Sequence, residues 1–281
     1  MQTDDKSIRL LDEREYPSVI SMVERSEEAN ALLFFLSALR TSSDELKVYA
    51  EHRDDWVIGV VALLPSLPPF GVPVLLPAGT VSSALLCSIA KVERSPRMAL
   101  GPLKPTTTLV EIWPTAWAPL IGRREEALLK QTSPPQITKH PEVLTRPAAH
   151  SDVETLIEYR IAMEKDSGTT ITSTSAEARE TVTALIDRQA LTVVEVRGEI
   201  GGCAAISASD NRYEQIGFVY VEPQHRLLGV SDRLLSDVCL DIHARGKKPI
   251  SFTAHSGPLF NRLHALSFEK IGEHLKLYFR S

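Results

Sequence analysis

The feature that most constrains the fold is a strand, a tight turn and a helix that follow one another between Tyr213 and Arg245. Residues Tyr213–Val221 are rich in β-branched and aromatic side chains, which predicts a strand that Pro223 ends. From Val230 to Arg245 the apolar residues recur at helical spacing, and Gly246 is placed to end the helix. Because the first N–H groups of a helix have no partner within it, the turn carries unpaired donors.

The turn between these elements has the composition of an anion-binding site. Gly229 has no Cβ, so the backbone can approach a ligand closely. Arg226 adds a fixed positive charge, and Ser231 is small and carries a hydroxyl. The positive end of the helix dipole attracts negative charge to the same place. Together these residues predict a cradle for a pyrophosphate.

The elements around the turn alternate between strands and helices. The pattern predicts a strand at 144–147, helices ending near 164 and 189, a hairpin of 191–196 and 200–207, a strand at 250–254, a helix at 259–266 and a last strand at 272–279. This order, βααβββαβαβ, predicts an α/β fold built on a mixed sheet.

The motif Arg226-x-x-Gly229-x-Ser231, preceded by the strand that ends in Val219-Tyr220-Val221-Glu222-Pro223, resembles the acyl-CoA-binding signature of the GNAT acetyltransferases. The order of elements is similar to that family's over the whole C-terminal half. The tract from Ile216 to Arg226 and the later Asn261-Arg262-Leu263 further resemble a two-domain GNAT subgroup, in which a degenerate N-terminal half precedes an intact C-terminal one. The resemblance implies transfer of an acetyl or other short acyl group from CoA to a small amine.

The same resemblance implies roles for individual residues toward acetyl-CoA. Backbone groups of Val219 and Val221 are expected to pair with the pantetheine arm, and Asn261 to contact it. Backbone amides along the turn are expected to bind the pyrophosphate: those of Arg226, Leu227, Leu228, Gly229, Val230 and Ser231.

The turn and the late helix depart from the family's pattern. Leu227 and Leu228 stand where the family usually has glycine and basic residues, and Leu263 or His264 stands where a tyrosine often acts as the general acid. These departures leave two alternatives open beside an enzyme. One is a non-catalytic acyl-CoA-binding or regulatory module, and the other is an interaction scaffold without cofactor.

Transfer to an amine benefits from one group that takes a proton and another that protonates the departing thiolate. Glu214, at the start of the central strand, is the candidate base. His264 is the candidate acid, because histidine titrates near neutral pH. The alternative for Glu214 is an exposed carboxylate at a strand end, and for His264 a solvated helix residue.

A proline-rich seam at 130–141 places a domain boundary near Lys139. Residues 1–138 are expected to form a diverged GNAT-like domain, and 139–281 the acyltransferase domain. Elements expected in the first half are strands at 8–11, 56–64 and 72–76 and helices at 16–39, 81–92 and 106–117. The last of these helices would carry Trp113 and Trp117, either as an aromatic wall of an acceptor pocket or domain interface, or as an ordinary contact with the core. No Arg-x-x-Gly-x-Gly/Ala turn occurs there, so we expect no cofactor site in this half.

Composition excludes other classes of protein. The net charge is −5 without a basic block, which argues against a nucleic-acid partner. Three distant cysteines without CxxC spacing predict neither a disulfide framework nor a metal site, but three buried thiols. No secretory signal and no apolar run of about 20 residues is visible, so we expect a cytoplasmic protein without a membrane partner. The acceptor, the acyl-chain length and the oligomeric state cannot be read from these patterns.

Overall fold

The computed structural model describes residues 6–25, 46–54, 56–64, 73–136, 142–167, 173–226 and 228–280. These residues form two compact units. The first comprises the described residues of Met1–Leu67, Val72–Leu128 and Ile271–Ser281, and the second those of Leu129–Lys270. The predicted boundary near Lys139 lies outside the described residues.

The strands and helices are numbered in chain order. The strands are β1 Lys6–Leu10, β2 Lys47–Arg53, β3 Trp56–Leu64, β4 Val74–Gly79, β5 Met98–Pro102, β6 Leu120–Gln131, β7 Val143–Pro147, β8 Leu191–Val196, β9 Glu199–Ser209, β10 Tyr213–Val221, β11 Lys248–Thr253 and β12 Phe268–Phe279. The helices are α1 Tyr16–Glu24, α2 Ser83–Ala90, α3 Leu103–Glu111, α4 Val153–Asp166, α5 Ser175–Asp187, α6 Val230–Ala244 and α7 Pro258–Ala265.

The second unit is an α/β structure on a mixed sheet, as the sequence predicts. Its strands lie in the order β7-β8-β9-β10-β11, antiparallel except for the parallel pair β10–β11. Helices α4 and α5 pack on one face through apolar residues that include Val182, Val193 and Cys203. A capping box of Thr174 and Glu177 starts α5. Helix α6 packs against β7, β8, β9 and β11 through its buried apolar stripe.

The strands of the first unit lie in the order β1-β2-β3-β4-β5-β12-β6. The pair β4–β5 is parallel, and β12 lies antiparallel to β5. The last strand therefore starts at Phe268 in the second unit and contributes residues 271–279 to the first. Its side chains Leu275, Leu277 and Phe279 belong to the core under α2 and α3.

Some predictions for the first half need correction. Helix α3 ends at Glu111, so Trp113 and Trp117 are not on it; Pro114 has no N–H and cannot continue a helix. The Trp113 ring stacks on Phe279 with ring centroids 3.8 Å apart, which makes it a core contact. Of the one or two helices predicted at 16–39, the structure describes α1, and residues 26–39 lie outside the described residues.

The cysteine prediction also needs a correction. The three thiols are free, and Cys203 and Cys239 are buried, but Cys87 is exposed because it lies on the solvent side of α2. Over the described residues, no helix has the length and apolar content needed to cross a membrane.

We expect the second unit to lose stability when a buried leucine of α6 is shortened. Leu234 is fully buried, so Leu234→Ala should lower the free energy of unfolding by about 2–5 kcal/mol through lost packing and a residual cavity. Leu144→Ala is the matched control, because Leu144 is 64% exposed and should change stability by less than about 0.5 kcal/mol. Urea unfolding followed by circular dichroism measures both. Equal effects of the two changes would contradict the assigned core.

Candidate active site

The parallel pairing of β10 with β11 stops partway along β10. The two strands are in register from Tyr213 to Ile216, and Ser251 then donates its hydroxyl to the Ile216 carbonyl at 3.0 Å. Just beyond this point the pairing of β10 with β9 shifts register, and Phe218 has a φ of 44°. A left-handed conformation is uncommon for a residue with a side chain, and such residues gather at functional sites. The later half of β10 therefore has an edge that β11 does not cover.

Backbone groups of Val221 face this uncovered edge. The Glu222 N–H donates to the Gly201 carbonyl at 3.0 Å, on the β9 side. Since neighbouring residues of a strand direct their backbone groups to opposite edges, Tyr220 also faces β9, and Val221 faces the other way. Val219 lies within the register shift. The Val221 carbonyl accepts a hydrogen bond from Arg226 Nε at 2.8 Å.

Helix α6 begins at the turn without a side-chain cap. Its N-cap is Gly229, in a left-handed conformation with φ of 73°, and no side-chain cap of the helix is present among the described residues. The N–H groups that open the helix are thus not satisfied by a cap. Val230 is buried, Ser231 is half-buried and Leu228 is 52% exposed. Leu227 lies outside the described residues.

Arg226 ties the turn to its surroundings. Its Nη2 lies 2.6 Å from Asp166 Oδ2 at the end of α4, and its guanidinium lies 5.5 Å from the centroid of the Tyr220 ring. Two further arginines near the start of α6 also have carboxylate partners: Arg262 with Asp232 at 2.8 Å and Arg233 with Asp237 at 2.6 Å. These ion pairs reduce the net positive charge that the arginines bring to the turn.

Glu214, the candidate base, lies in an ion-pair cluster. It is buried, with Arg245 Nη2 2.6 Å and Lys247 Nζ 3.0 Å from its carboxylate. Burial disfavours the ionised form, but hydrogen bonds from these two cations outweigh it and lower the pKa of Glu214. The residue precedes Val221 by roughly 20 Å along the strand. A paired carboxylate of lowered pKa is a weak proton acceptor, and these contacts therefore argue against the role of base.

The structure does not bring Glu214 and the candidate acid together. Glu214 is opposite Pro249, near the start of β11, whereas α7 follows the end of that strand. His264 and Asn261 are both exposed on α7, and the edge of His264 meets the Phe260 ring at 4.9 Å between centroids.

Sequence reasoning missed the buried polar residues that lie between the sheet and helices α4 and α5, on the helix and on the strands. Arg160 and Glu164 form an ion pair at 2.6 Å, and the Arg160 guanidinium lies 5.5 Å from the centroid of the Phe218 ring. Ser207 and Gln215 are buried on neighbouring strands. The spacing of Arg160 and Glu164, four apart on a buried helix face, is the signal that could have identified the ion pair. No sequence pattern marks Ser207 or Gln215.

The first unit has a related strand–turn–helix arrangement that is closed. Parallel pairing of β4 and β5 covers only Val74 and Leu75, and Gly79 has a φ of 70° before α2. Here, however, the Ser82 side chain caps the helix by accepting from the Leu85 N–H at 3.1 Å. A Cβ on Gly101 of β5 would lie 2.8 Å from Thr106 Oγ1 and 3.1 Å from Pro77 of β4. The space between these strands is thus filled by protein atoms.

The Glu214 cluster makes a pH-dependent contribution to stability. Because the pKa of Glu214 is lowered in the folded state, its stabilisation is present above the ordinary glutamate pKa and is lost as the pH falls through the folded value. Glu214→Gln should reduce the free energy of unfolding by about 1–2 kcal/mol near pH 7. The difference from the parent should shrink in acid. Urea titrations across this pH range measure it, with the exposed Glu199→Gln as control. A pH-independent difference would refute the assignment.

Comparison with known proteins adds evidence on the fold. No family model matches the sequence, and no curated protein matches it. Among solved structures, a GNAT-family acetyltransferase from Colwellia psychrerythraea aligns with a TM-score of 0.62 at 11% identity, over 98% of this chain and 100% of that one. A GCN5-related N-acetyltransferase from Sphaerobacter thermophilus gives 0.64 at 12% identity, over 99% and 96%.

A tandem GNAT protein from the clavulanic acid biosynthesis pathway also aligns, with a TM-score of 0.61 at 12% identity over 97% of this chain and 98% of that one. These likenesses extend over nearly the whole of each chain, including both compact units. At such low identity they are evidence for the fold and not for the chemistry. The chain therefore has the GNAT acetyltransferase fold, in its tandem form.

Proposed function

We propose that the second unit binds acetyl-CoA, or another short acyl-CoA, at the turn between β10 and α6 and transfers the acyl group to a small amine. One observation carries this proposal. The edge of β10 that β11 leaves uncovered is followed, across the turn at 222–229, by a helix start for which the described residues provide no side-chain cap. A strand edge that offers N–H groups beside a helix start suits a ligand with amides at one end and phosphates at the other.

The residues of this chain would divide the binding between them. Backbone groups of Val219 and Val221 would pair with the amides of the pantetheine arm, and Asn261 would contact it from α7. Phosphate oxygens would accept from the amides of the turn, those of Arg226, Leu227, Leu228, Gly229, Val230 and Ser231, aided by the positive end of α6. When bound, the thioester supplies the activated acyl group. A backbone N–H near Val219, beside the bulge at Phe218, would stabilise the negative charge that develops on the carbonyl oxygen.

We retain only one of the two residues that the sequence suggested for proton transfer. His264 remains the proposed general acid for the departing thiolate, since it is exposed on the helix that follows β11. The ion pairs of Glu214 disfavour it as the base. We place the protein in the cytoplasm, in keeping with three free cysteines, and expect neither a nucleic-acid nor a membrane partner.

A specific observation favours the alternative of a non-catalytic acyl-CoA-binding module. Leu228 exposes an apolar side chain at the turn, and the nearest arginine is already paired with Asp166. Both features weaken the attraction for phosphate relative to a turn with free basic residues. Thiol release in the presence of amines separates the two functions, because a binding module retains affinity for acetyl-CoA and releases no thiol.

The cradle is tested by Gly229→Asp, compared with Gly246→Asp. Both glycines have a φ of 73°, so both changes place a Cβ and a carboxylate in the same left-handed conformation at opposite ends of α6. Both variants carry the same left-handed strain, but only Gly229→Asp places a carboxylate beside the N–H groups that open α6. We expect this variant to weaken acetyl-CoA binding at least about tenfold and the Gly246 variant to bind like the parent.

Isothermal titration calorimetry measures both affinities, and thermal melting monitors folding. Equal affinities of the two variants would place the cofactor elsewhere. No binding by the parent would remove the proposed function for this donor.

A further inference from the structure

We infer that the side-chain carboxamide of Gln215 binds the amino group of the acyl acceptor, by accepting a hydrogen bond from its N–H. The inference rests on the function proposed above and adds the residue that recognises the nucleophile. The acceptor is then an amine that reacts in its neutral form and has an N–H to donate to Gln215.

Gln215 lies where the two parallel strands are about to separate. It is opposite Ile250 of β11, one residue before the last registered pair. The uncovered edge proposed for the thioester begins two residues later, at Gly217. Gln215 precedes Val219, the residue proposed to face the thioester carbonyl, by four residues, roughly 13 Å along an extended strand.

The orientation of Gln215 follows from its neighbours. A Cβ on Gly217 would lie 2.4 Å from Ser207 Oγ and 4.0 Å from Gln215 Nε2, so the three residues share one face of the sheet. Gly217 is paired with Ala205, which belongs to the cluster under α4 and α5. Directly paired residues point to the same face. Gln215 is thus on the α4–α5 face, where Ser207 Oγ occupies the place that a side chain at position 217 would need.

The carboxamide has an unused acceptor. Gln215 is 7% exposed, and its Oε1 has no hydrogen-bond partner among the described residues. Ser207 Oγ donates to the Gln215 backbone carbonyl at 3.3 Å, and so can only accept from Nε2, 3.5 Å away. Because the backbone carbonyl takes the only hydroxyl hydrogen of Ser207, the carboxamide must direct Nε2 toward Ser207. Its Oε1 is then left without a donor. A buried acceptor without a partner is costly, and buried polar groups in native proteins are nearly always bonded. A donor from a ligand supplies the missing bond.

The chemistry of an amide sets what Gln215 can do. It does not gain or lose a proton near neutral pH, so it orients the amine without deprotonating it. In the reaction the amine nitrogen attacks the thioester carbonyl carbon, the C–N bond forms, and the C–S bond breaks. Sulfur leaves as a thiolate that takes up a proton, and the nitrogen loses its proton to solvent. The rate with an alkylamine should therefore rise with pH as the neutral amine becomes more abundant.

The test uses propylamine as acceptor and acetyl-CoA as donor, with thiol release as the readout and acetyl-CoA affinity measured separately. Gln215→Leu should raise the KM for propylamine about tenfold and leave the affinity for acetyl-CoA within about twofold. The exposed Gln136→Leu is the matched control and should change neither. Gln215→Glu keeps the size and shape of the side chain but introduces a carboxylate that ionises. The dependence of its rate on pH should therefore include one ionisation that the parent lacks.

The outcomes separate this inference from the proposed function. Failure of the parent to bind acetyl-CoA would overturn both. Binding without thiol release to propylamine would overturn the assigned acceptor chemistry alone. If Gln215→Leu does not fold, Gln215→Glu decides: a profile and a KM equal to those of the parent would show that Gln215 does not contact the amine.

Discussion

The end of pairing between β10 and β11 is the constraint on which the rest of the site depends. Within a sheet, each backbone N–H has a partner on the next strand, and a strand that loses its neighbour must find another. Here the hydrogen-bond ladder between β10 and β11 ends where the Ser251 hydroxyl donates to the Ile216 carbonyl, and Phe218 adopts a left-handed conformation two residues later. The uncovered edge continues into the uncapped start of α6. A ligand with amide and phosphate groups can satisfy both.

The contrast between the two units follows from the same constraint. In the first unit, parallel pairing also ends early, but Ser82 caps the following helix and Pro77 lacks an N–H to offer. Thr106 and Pro77 fill the space that a cofactor arm would need. Local side-chain choices thus differ between the two helix starts, although both follow a parallel strand pair that ends early.

The sequence predicted the elements of the second unit well because their patterns are strong. The strand at Tyr213–Val221 and helix α6 lie where β-branched content, Pro223 and a helical apolar stripe place them. The sequence did not predict β2, β5 and β6. Strands β2 and β6 carry charged residues that interrupt the alternation of polar and apolar positions, and β5 has only 5 residues. The ion pairs of Glu214 lie more than thirty residues away along the chain, and the contact of Arg226 with Asp166 spans sixty. Spacing rules detect only near neighbours, so the burial and pairing of these side chains required the fold.

Hydrogen exchange of backbone amides, followed by mass spectrometry with and without acetyl-CoA, tests whether the ligand binds at the turn between β10 and α6. We expect slowed exchange in peptides covering residues 217–233, where the uncovered edge of β10 and the start of α6 offer their N–H groups. We expect no change at residues 76–86 of the first unit, where Ser82 already caps the helix. Protection confined to the first unit, or none in 217–233 at saturating acetyl-CoA, would contradict the account.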